Sequence, residues 1–326
     1  MDAIVAYDLT KEYEGGRGAL RRLNLQVPRG AAMACVGREN AGKTTLVRLL
    51  SGLCRPTSGE CAVLGRAPAL EQEGLHQVAG TVISSAGLYR HMTLQENLNF
   101  FAALHGVDSY DAVERSSFLL HKLDIWEERE EKIRELPTGV LRRAALARAL
   151  MHRPQVLLMD LPPEGLDPES EAATKELLSH LRQEEGMTLL LCTRNLAYAQ
   201  AVCDSFALLR EGSLLAKGTL ESLRKGAGVR FQAALRLGAG EEGPQGFRYR
   251  EEDNTWRREI DSEEEMPAVI AKLAAGGTAL VEARVVRPTL EEIFTACLEG
   301  GSGKEGTGDE ETGPQGAEER PEEEGA

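Results

Sequence analysis

The chain has 326 residues, with 52 acidic against 38 basic side chains and a formal charge of −14. That length accommodates about two domains, each able to bury a core. An acidic chain without a basic patch or interleaved aromatics is poorly suited to gripping a phosphate backbone through counterion release, so no nucleic-acid partner is expected. The charge is uneven: residues 300–326 hold nine acids and two bases, half of the excess. No apolar run approaches the roughly 18–20 residues of a membrane span. Asp2, Asp8, Lys11, Glu12 and Glu14 interrupt the N-terminus, so no signal peptide is expected. Cys35, Cys54, Cys61, Cys192, Cys203 and Cys297 form no C-x-x-C pair, and several fall in apolar runs. They read as buried thiols of a reducing cytoplasm, not as metal ligands.

In chain order, short β-branched or apolar runs alternate with stretches of helical period, which predicts an α/β fold. Strands are expected at Ile4–Tyr7, Leu23–Val27 and Ala32–Val36, and the last runs into a glycine-bearing loop and a helix over Thr44–Leu53. The stretch from about 94 to 150 reads as helical, with segments around Leu98, Phe101 and Leu104, then Phe118–Leu123, then Arg142–Leu150. Strand character returns at Val156–Met159 and Thr188–Cys192, each followed by a helix. Ser205–Leu209 and Leu214–Ala216 flank Glu211-Gly212 and read as a hairpin. The character changes after Lys225-Gly226-Ala227-Gly228. Short strands at Val229–Ala233 and Phe247–Tyr249, a helix over Glu264–Ala274, a strand at Leu280–Val286 and a helix over Thr289–Leu298 make a second α/β unit. Thr289 followed by Glu292 is the pattern of a capping box. The predicted division is therefore 1–225, 229–298, and a Gly/Glu-rich tail over 299–326 too poor in apolar residues to offset the entropy of ordering, hence disordered.

The strongest chemical signal is Gly37-Arg38-Glu39-Asn40-Ala41-Gly42-Lys43-Thr44, a G-x-x-x-x-G-K-S/T loop between a predicted strand and a predicted helix. Its glycines let successive backbone N–H groups close around phosphate oxygens while the helix N-terminus adds partial positive charge. Lys43 then reaches the terminal phosphates and the Thr44 hydroxyl binds Mg2+. Such a site also wants a carboxylate at the end of a neighbouring apolar strand, and Val156-Leu157-Leu158-Met159-Asp160 supplies one. Asn40 tolerates left-handed backbone better than most residues. Glu39 is expected to point to solvent, with Arg38 nearby.

These motifs and several others stand in the order of one family, and the chain resembles the ATP-binding subunit of an ABC transporter. The matching segments are LTKEYEGG, GRENAGKTTLVRLLSGLCRPTSGE, LYRHMTLQENLNFF, ALARALMHRPQVLLMD and EGLDP at 164–168. The small domain ending RPTLEEIFTACLEG resembles the appendage of the ABC-2 exporter class, whose permeases are separate chains. The resemblance implies a P-loop nucleotide-binding domain with a RecA-like core and a helical subdomain. It implies ATP held by Tyr13, Gly37, Arg38, Glu39, Asn40, Ala41, Gly42, Lys43, Thr44 and Thr45, with Tyr13 stacked on adenine and Mg2+ on Thr44 and Asp160. It also implies a membrane permease as partner, a second nucleotide-binding domain in a homo- or heterodimer, and a peripheral position on the cytoplasmic face of the membrane. Thr138, Gly139 and Asp167 fall where the two domains of such a dimer communicate.

The departures from the family pattern fall on its chemistry. The glutamate that polarises the attacking water is replaced by Leu161, which has no proton-accepting atom, where a positioned base supplies about 10²–10⁴ in rate. The switch histidine is Arg194, a cation that cannot act as a neutral imidazole. The γ-phosphate-sensing glutamine is Ser84, which is too short for that span. The L-S-G-G-Q signature is Leu136-Pro137-Thr138-Gly139-Val140, where Pro137 removes a hydroxyl and an N–H and Thr138 adds a Cβ. A cap by the Thr138 hydroxyl would partly replace the lost serine. The resemblance thus implies an ATP-binding subunit in which hydrolysis is weak or absent. The alternatives are a working transport ATPase using substitutes such as Glu164, and a soluble regulatory ABC-like protein.

Overall fold

The computed structural model describes residues 1–15, 17–83, 87–160, 168–238 and 243–300. β1 (Asp2–Tyr13) and β2 (Arg17–Pro28) form a long antiparallel pair, and β3 (Ala32–Gly37) runs through the phosphate loop into α1 (Lys43–Leu50). β4 (Ser58–Val63) completes a three-stranded sheet of order β2-β1-β4. Then come α2 (Gln72–Val78), β5 (Ala79–Val82) and three helices, α3 (Leu94–Leu104), α4 (Ser109–Lys122) and α5 (Thr138–Leu150). β6 (Val156–Asp160), α6 (Pro168–Glu185), β7 (Thr188–Thr193), α7 (Leu196–Val202), β8 (Ser205–Arg210), β9 (Ser213–Thr219) and α8 (Leu220–Gly226) follow.

The central sheet has the order β5-β6-β7-β3-β8-β9, parallel except for the last strand. Both of its faces are covered, which is why its inner strands are continuously apolar rather than alternating. The alternation survives as a choice between two cores. Ala32, Ala34, Val36, Leu157, Met159, Leu189 and Leu191 face the core made with α3–α7. Met33, Cys35, Val156, Leu158, Leu190 and Cys192 face the core made with α1 and the three-stranded sheet. The expected hairpin is present, with Glu211 at φ 50° and Gly212 at φ 85° in its turn. All six cysteines are free.

One expectation about this sheet is corrected. The sequence places the strand carrying Asp160 beside the phosphate-loop strand, but β7 lies between them, paired with β3 on one side and β6 on the other.

β10 (Phe231–Leu237), β11 (Arg248–Arg250), β12 (Thr255–Ile260), α9 (Met266–Ala275) and β13 (Leu280–Val286) form a small unit, an antiparallel sheet of order β11-β12-β10-β13. Its own core includes Phe231, Leu235, Ile260, Met266 and Val269. The final helix, α10 (Leu290–Gly300), was expected inside this unit. Its buried residues Leu290, Ile293 and Phe294 belong instead to the main core, with Tyr198 and Ala199 of α7 and Leu223 of α8. The Leu290 N–H donates to Gln200 Oε1 at 2.9 Å and Arg210 donates to the Leu298 carbonyl at 3.4 Å. Thr289 and Glu292 form the expected reciprocal cap, at 2.8 and 3.3 Å. Residues 301–326 lie outside the described residues.

Candidate functional site

The path of the loop between β3 and α1 is set by close backbone approaches. Gly42 has φ 99°, and a Cβ there would lie 2.4 Å from the Ala19 carbonyl oxygen and 2.6 Å from Leu20 Cδ2. A Cβ at Gly37 would lie 2.5 Å from the Leu209 carbonyl oxygen. Only glycine fits where another chain segment passes this close. Asn40 takes left-handed backbone, at φ 62°. The loop is braced by both flanking hairpins. The Gly212 N–H donates to the Ala41 carbonyl at 3.3 Å and the Arg21 N–H to the Gly212 carbonyl at 2.8 Å.

Lys43 is 6% exposed, and its ammonium donates to the carbonyls of Gly37 and Arg38, each at 2.7 Å. Burial holds its pKa below the ordinary lysine range; Cys192 pulls upward, Arg194 adds to the depression, and Asp160 opposes it. Asp160 is 1% exposed. Burial raises its pKa, while a hydrogen bond from the Thr44 hydroxyl and the charge of Lys43 pull it back. Its Oδ1 is buried with no hydrogen-bond partner among the described residues. A buried, unpartnered carboxylate oxygen beside a hydroxyl is the hard oxygen donor set that Mg2+ takes, so Thr44 and Asp160 fit the metal the loop calls for. This works from the next-but-one strand because β7 and β6 end level, Cys192 opposite Asp160.

The loop opens into a cleft of about 400 Å³ lined by Glu39 to Thr45, Tyr13, Gly18, Ala19 and Arg194. Tyr13 ends β1 exposed at the cleft margin, its hydroxyl 3.4 Å from Thr45 Oγ1 and the Lys11 ammonium 5.3 Å from its ring centroid. Glu39 and Arg38 are exposed. Arg38 and Glu39 also border a second cavity, of about 440 Å³, that reaches Phe294 and Leu298 of α10. Gly37 is buried beneath the loop.

Pro137, Thr138 and Gly139 do not line this cleft. Pro137 is itself the N-cap of α5, with no side-chain cap bond, so the proposed Thr138 cap is not formed. Pro137 has no side-chain acceptor to offer, and Thr138 is already the first helical residue, one position too late to cap. Both are exposed. Leu161, Glu164 and Asp167, like Ser84, lie outside the described residues. The sequence reading missed Gly18 and Ala19. The glycine-rich sequence Gly15-Gly16-Arg17-Gly18 was the available signal, because glycine permits close backbone approach.

The ABC transporter family profile matches residues 20–163. The bacitracin transport ATP-binding protein of Bacillus licheniformis is 30% identical over 222 residues, covering 68% of this chain and 71% of that one. A daunorubicin resistance ATP-binding protein of Streptomyces coeruleorubidus is 31% identical over 306 residues, covering 90% of this chain and 95% of that one. Among solved structures, an ATP-binding subunit of an ABC transporter superposes with a TM-score of 0.66 at 27% identity, covering 70% of this chain and 94% of that one. The chain belongs to the family of ABC transporter ATP-binding subunits. No helix among the described residues is long and apolar enough to cross a membrane.

Proposed function

We propose that this chain binds Mg-ATP at the phosphate-loop cleft and serves a separate membrane permease of the ABC-2 exporter class, with nucleotide hydrolysis weak or absent. The observation that carries the reading is an assembled binding half beside a depleted catalytic one. Lys43, Thr44 and Asp160 come together at the loop, whereas Asp160 is followed in sequence by aliphatic Leu161 and the cleft is lined on one side by Arg194.

The residues divide the work by their chemistry. Loop N–H groups and Lys43 hold phosphate oxygens, and Lys43 exchanges two carbonyl partners for them. Tyr13 offers an aromatic face to the base. Mg2+, when bound with the nucleotide, neutralises phosphate charge, and Thr44 and Asp160 would hold it. Neither Leu161 nor Arg194 accepts a proton from water at neutral pH, so attack on the terminal phosphate lacks the base worth about 10²–10⁴ in rate.

The relatives named for bacitracin transport and daunorubicin resistance support the export assignment. The small unit over β10–β13 supports the ABC-2 assignment, by the likeness of its closing segment to that class. Binding then acts by closing two nucleotide-binding domains on each other at the cytoplasmic face, with Thr138, Gly139 and Asp167 on the shared boundary. Exposed Pro137 and Thr138 at the open end of α5 are consistent with a surface that meets a second domain. Equilibrium binding of Mg-ATP to the purified chain and to Lys43→Ala tests the site. Tight binding lost in the variant supports the reading, and equal binding by both would overturn it.

A further inference from the structure

The small unit presents two sheet edges, and they are built differently. β11, at one edge, is three residues long and carries Arg248 and Arg250. A short edge strand bearing like charges is a poor template for another strand. β13, at the other edge, runs seven residues from Leu280 to Val286, and β10 is its only strand partner among the described residues. Its outer row of N–H and C=O groups has no strand to pair with there, and Val281 beside that row is 60% exposed. Such an edge is a template for a further strand.

The residues of β13 say which strand fits. Ala283 and Val285 stand opposite Leu235 and Ala233, on the apolar face covered by α9. Glu282 and Arg284 stand opposite Arg236 and Ala234, on the other face, with Glu282 2.9 Å from Arg236 and 3.7 Å from Arg284. The slip in register against β10 falls between Leu280 and Glu282, so Glu282 to Val286 is regular. Centred on Ala283, the run Val281-Glu282-Ala283-Arg284-Val285 is a palindrome in which apolar matches apolar and acid matches base. An antiparallel copy of the strand about that centre sets Glu282 against the partner's Arg284 and Arg284 against the partner's Glu282. Val281 and Val285 then meet as well. Directly opposite residues lie about 4.5–5.5 Å apart at Cβ, which is within reach of both ion pairs. A parallel copy in register would instead set Glu282 against Glu282 and Arg284 against Arg284, which is unfavourable.

We propose that β13 is a homodimer interface, pairing edge to edge with β13 of a second copy about a twofold axis at Ala283, so that the two four-stranded sheets become one. The contact is isologous and closes on itself, because each copy uses its open edge and the remaining edge is the short, arginine-bearing β11. It brings two nucleotide-binding units together without requiring nucleotide. It also lies apart from the phosphate-loop cleft and stands whatever that cleft does.

The test is sedimentation velocity of the full-length chain over a concentration series, without nucleotide and at low salt, beside Glu282→Arg and Arg284→Glu. The parent should show a monomer–dimer equilibrium. Each substitution turns both cross-strand ion pairs into like-charge pairs, so each variant alone should dimerise about tenfold or more weakly. Mixed in equal amounts, the two variants should dimerise with each other about as well as the parent, because every arginine then faces a glutamate. That recovery also reports that both variants are folded. A parent that stays monomeric up to about 100 µM, variants that dimerise as the parent does, or a mixture that fails to recover would each overturn the proposal.

Discussion

Ile293→Ala is expected to destabilise the nucleotide-binding unit, although Ile293 lies more than sixty residues beyond α8, the last helix of that unit in sequence. Ile293 is fully buried on α10, in the core it shares with Tyr198, Ala199 and Leu223. Truncation removes apolar atoms and leaves a cavity, which costs about 2–5 kcal/mol according to how far the site can collapse. Collapse is hindered here because α10 is tied near both ends, at Leu290 to Gln200 and at Leu298 to Arg210. The upper half of that range is therefore expected. In a unit of this size each kcal/mol lowers the midpoint by about 2–4 °C, so a fall of roughly 10 °C follows. The assay is scanning calorimetry with and without Mg-ATP, because a ligand that binds only the native form raises the transition of the unit that holds it. The nucleotide-responsive transition should be the one that Ile293→Ala lowers. Val269→Ala, in the separate core under α9, should leave that transition in place. If Ile293→Ala moved only a transition that does not respond to nucleotide, the docking of α10 on the main core would be refuted.

Gly42→Ala is expected to lose at least about 2 kcal/mol in urea unfolding, from left-handed backbone and the clash with the Ala19 carbonyl. Stability within about 0.5 kcal/mol of the parent would contradict that account of the loop. His152, stacked on His105 with centroids 4.0 Å apart, has its pKa pushed down to about 4, chiefly by burial. The unfolded chain binds a proton there from an ordinary 6.5 downward, so stability is full above pH 6.5 and falls as pH drops toward about 4. The loss is on the order of 3 kcal/mol, and His152→Gln should flatten that limb of the stability profile. Leu161→Glu with Arg194→His, combined with Pro137→Ser and Thr138→Gly, should raise steady-state hydrolysis by roughly 10² or more. An unchanged rate would mean that other residues already do this work.

What could be read in the sequence follows from where the physical signal is local. The strands expected at Val156–Met159 and Thr188–Cys192 were legible, each to within one residue of its observed end, because strands buried on both faces are continuously apolar. The Glu211-Gly212 turn and the Thr289–Glu292 cap were legible because turns and caps are specified by residues a few positions apart. β4 was missed because only Val63 of Ser58–Val63 is buried, so no apolar run marks it. β1 outran its predicted end because Lys11, Glu12 and Tyr13 pair with β2 at an exposed margin where hydrophobic pattern is silent. The interposition of β7 between β3 and β6, and the return of α10 to the main core, depend on long-range packing that no window of sequence contains. At the site, the strand-loop-helix path around Gly37–Thr44 was legible from its glycines, but the place of Arg194 in the same cleft as Lys43 required the sheet register.

The central claim, ATP held without efficient turnover, is tested most directly by measuring affinity and steady-state hydrolysis on one purified sample, with Lys43→Ala as the control for contaminating activity. The account predicts saturable Mg-ATP binding that Lys43→Ala abolishes, together with a turnover at least about 10² below the ~10 s⁻¹ typical of enzymes. Turnover near that typical value, lost in Lys43→Ala, would contradict it.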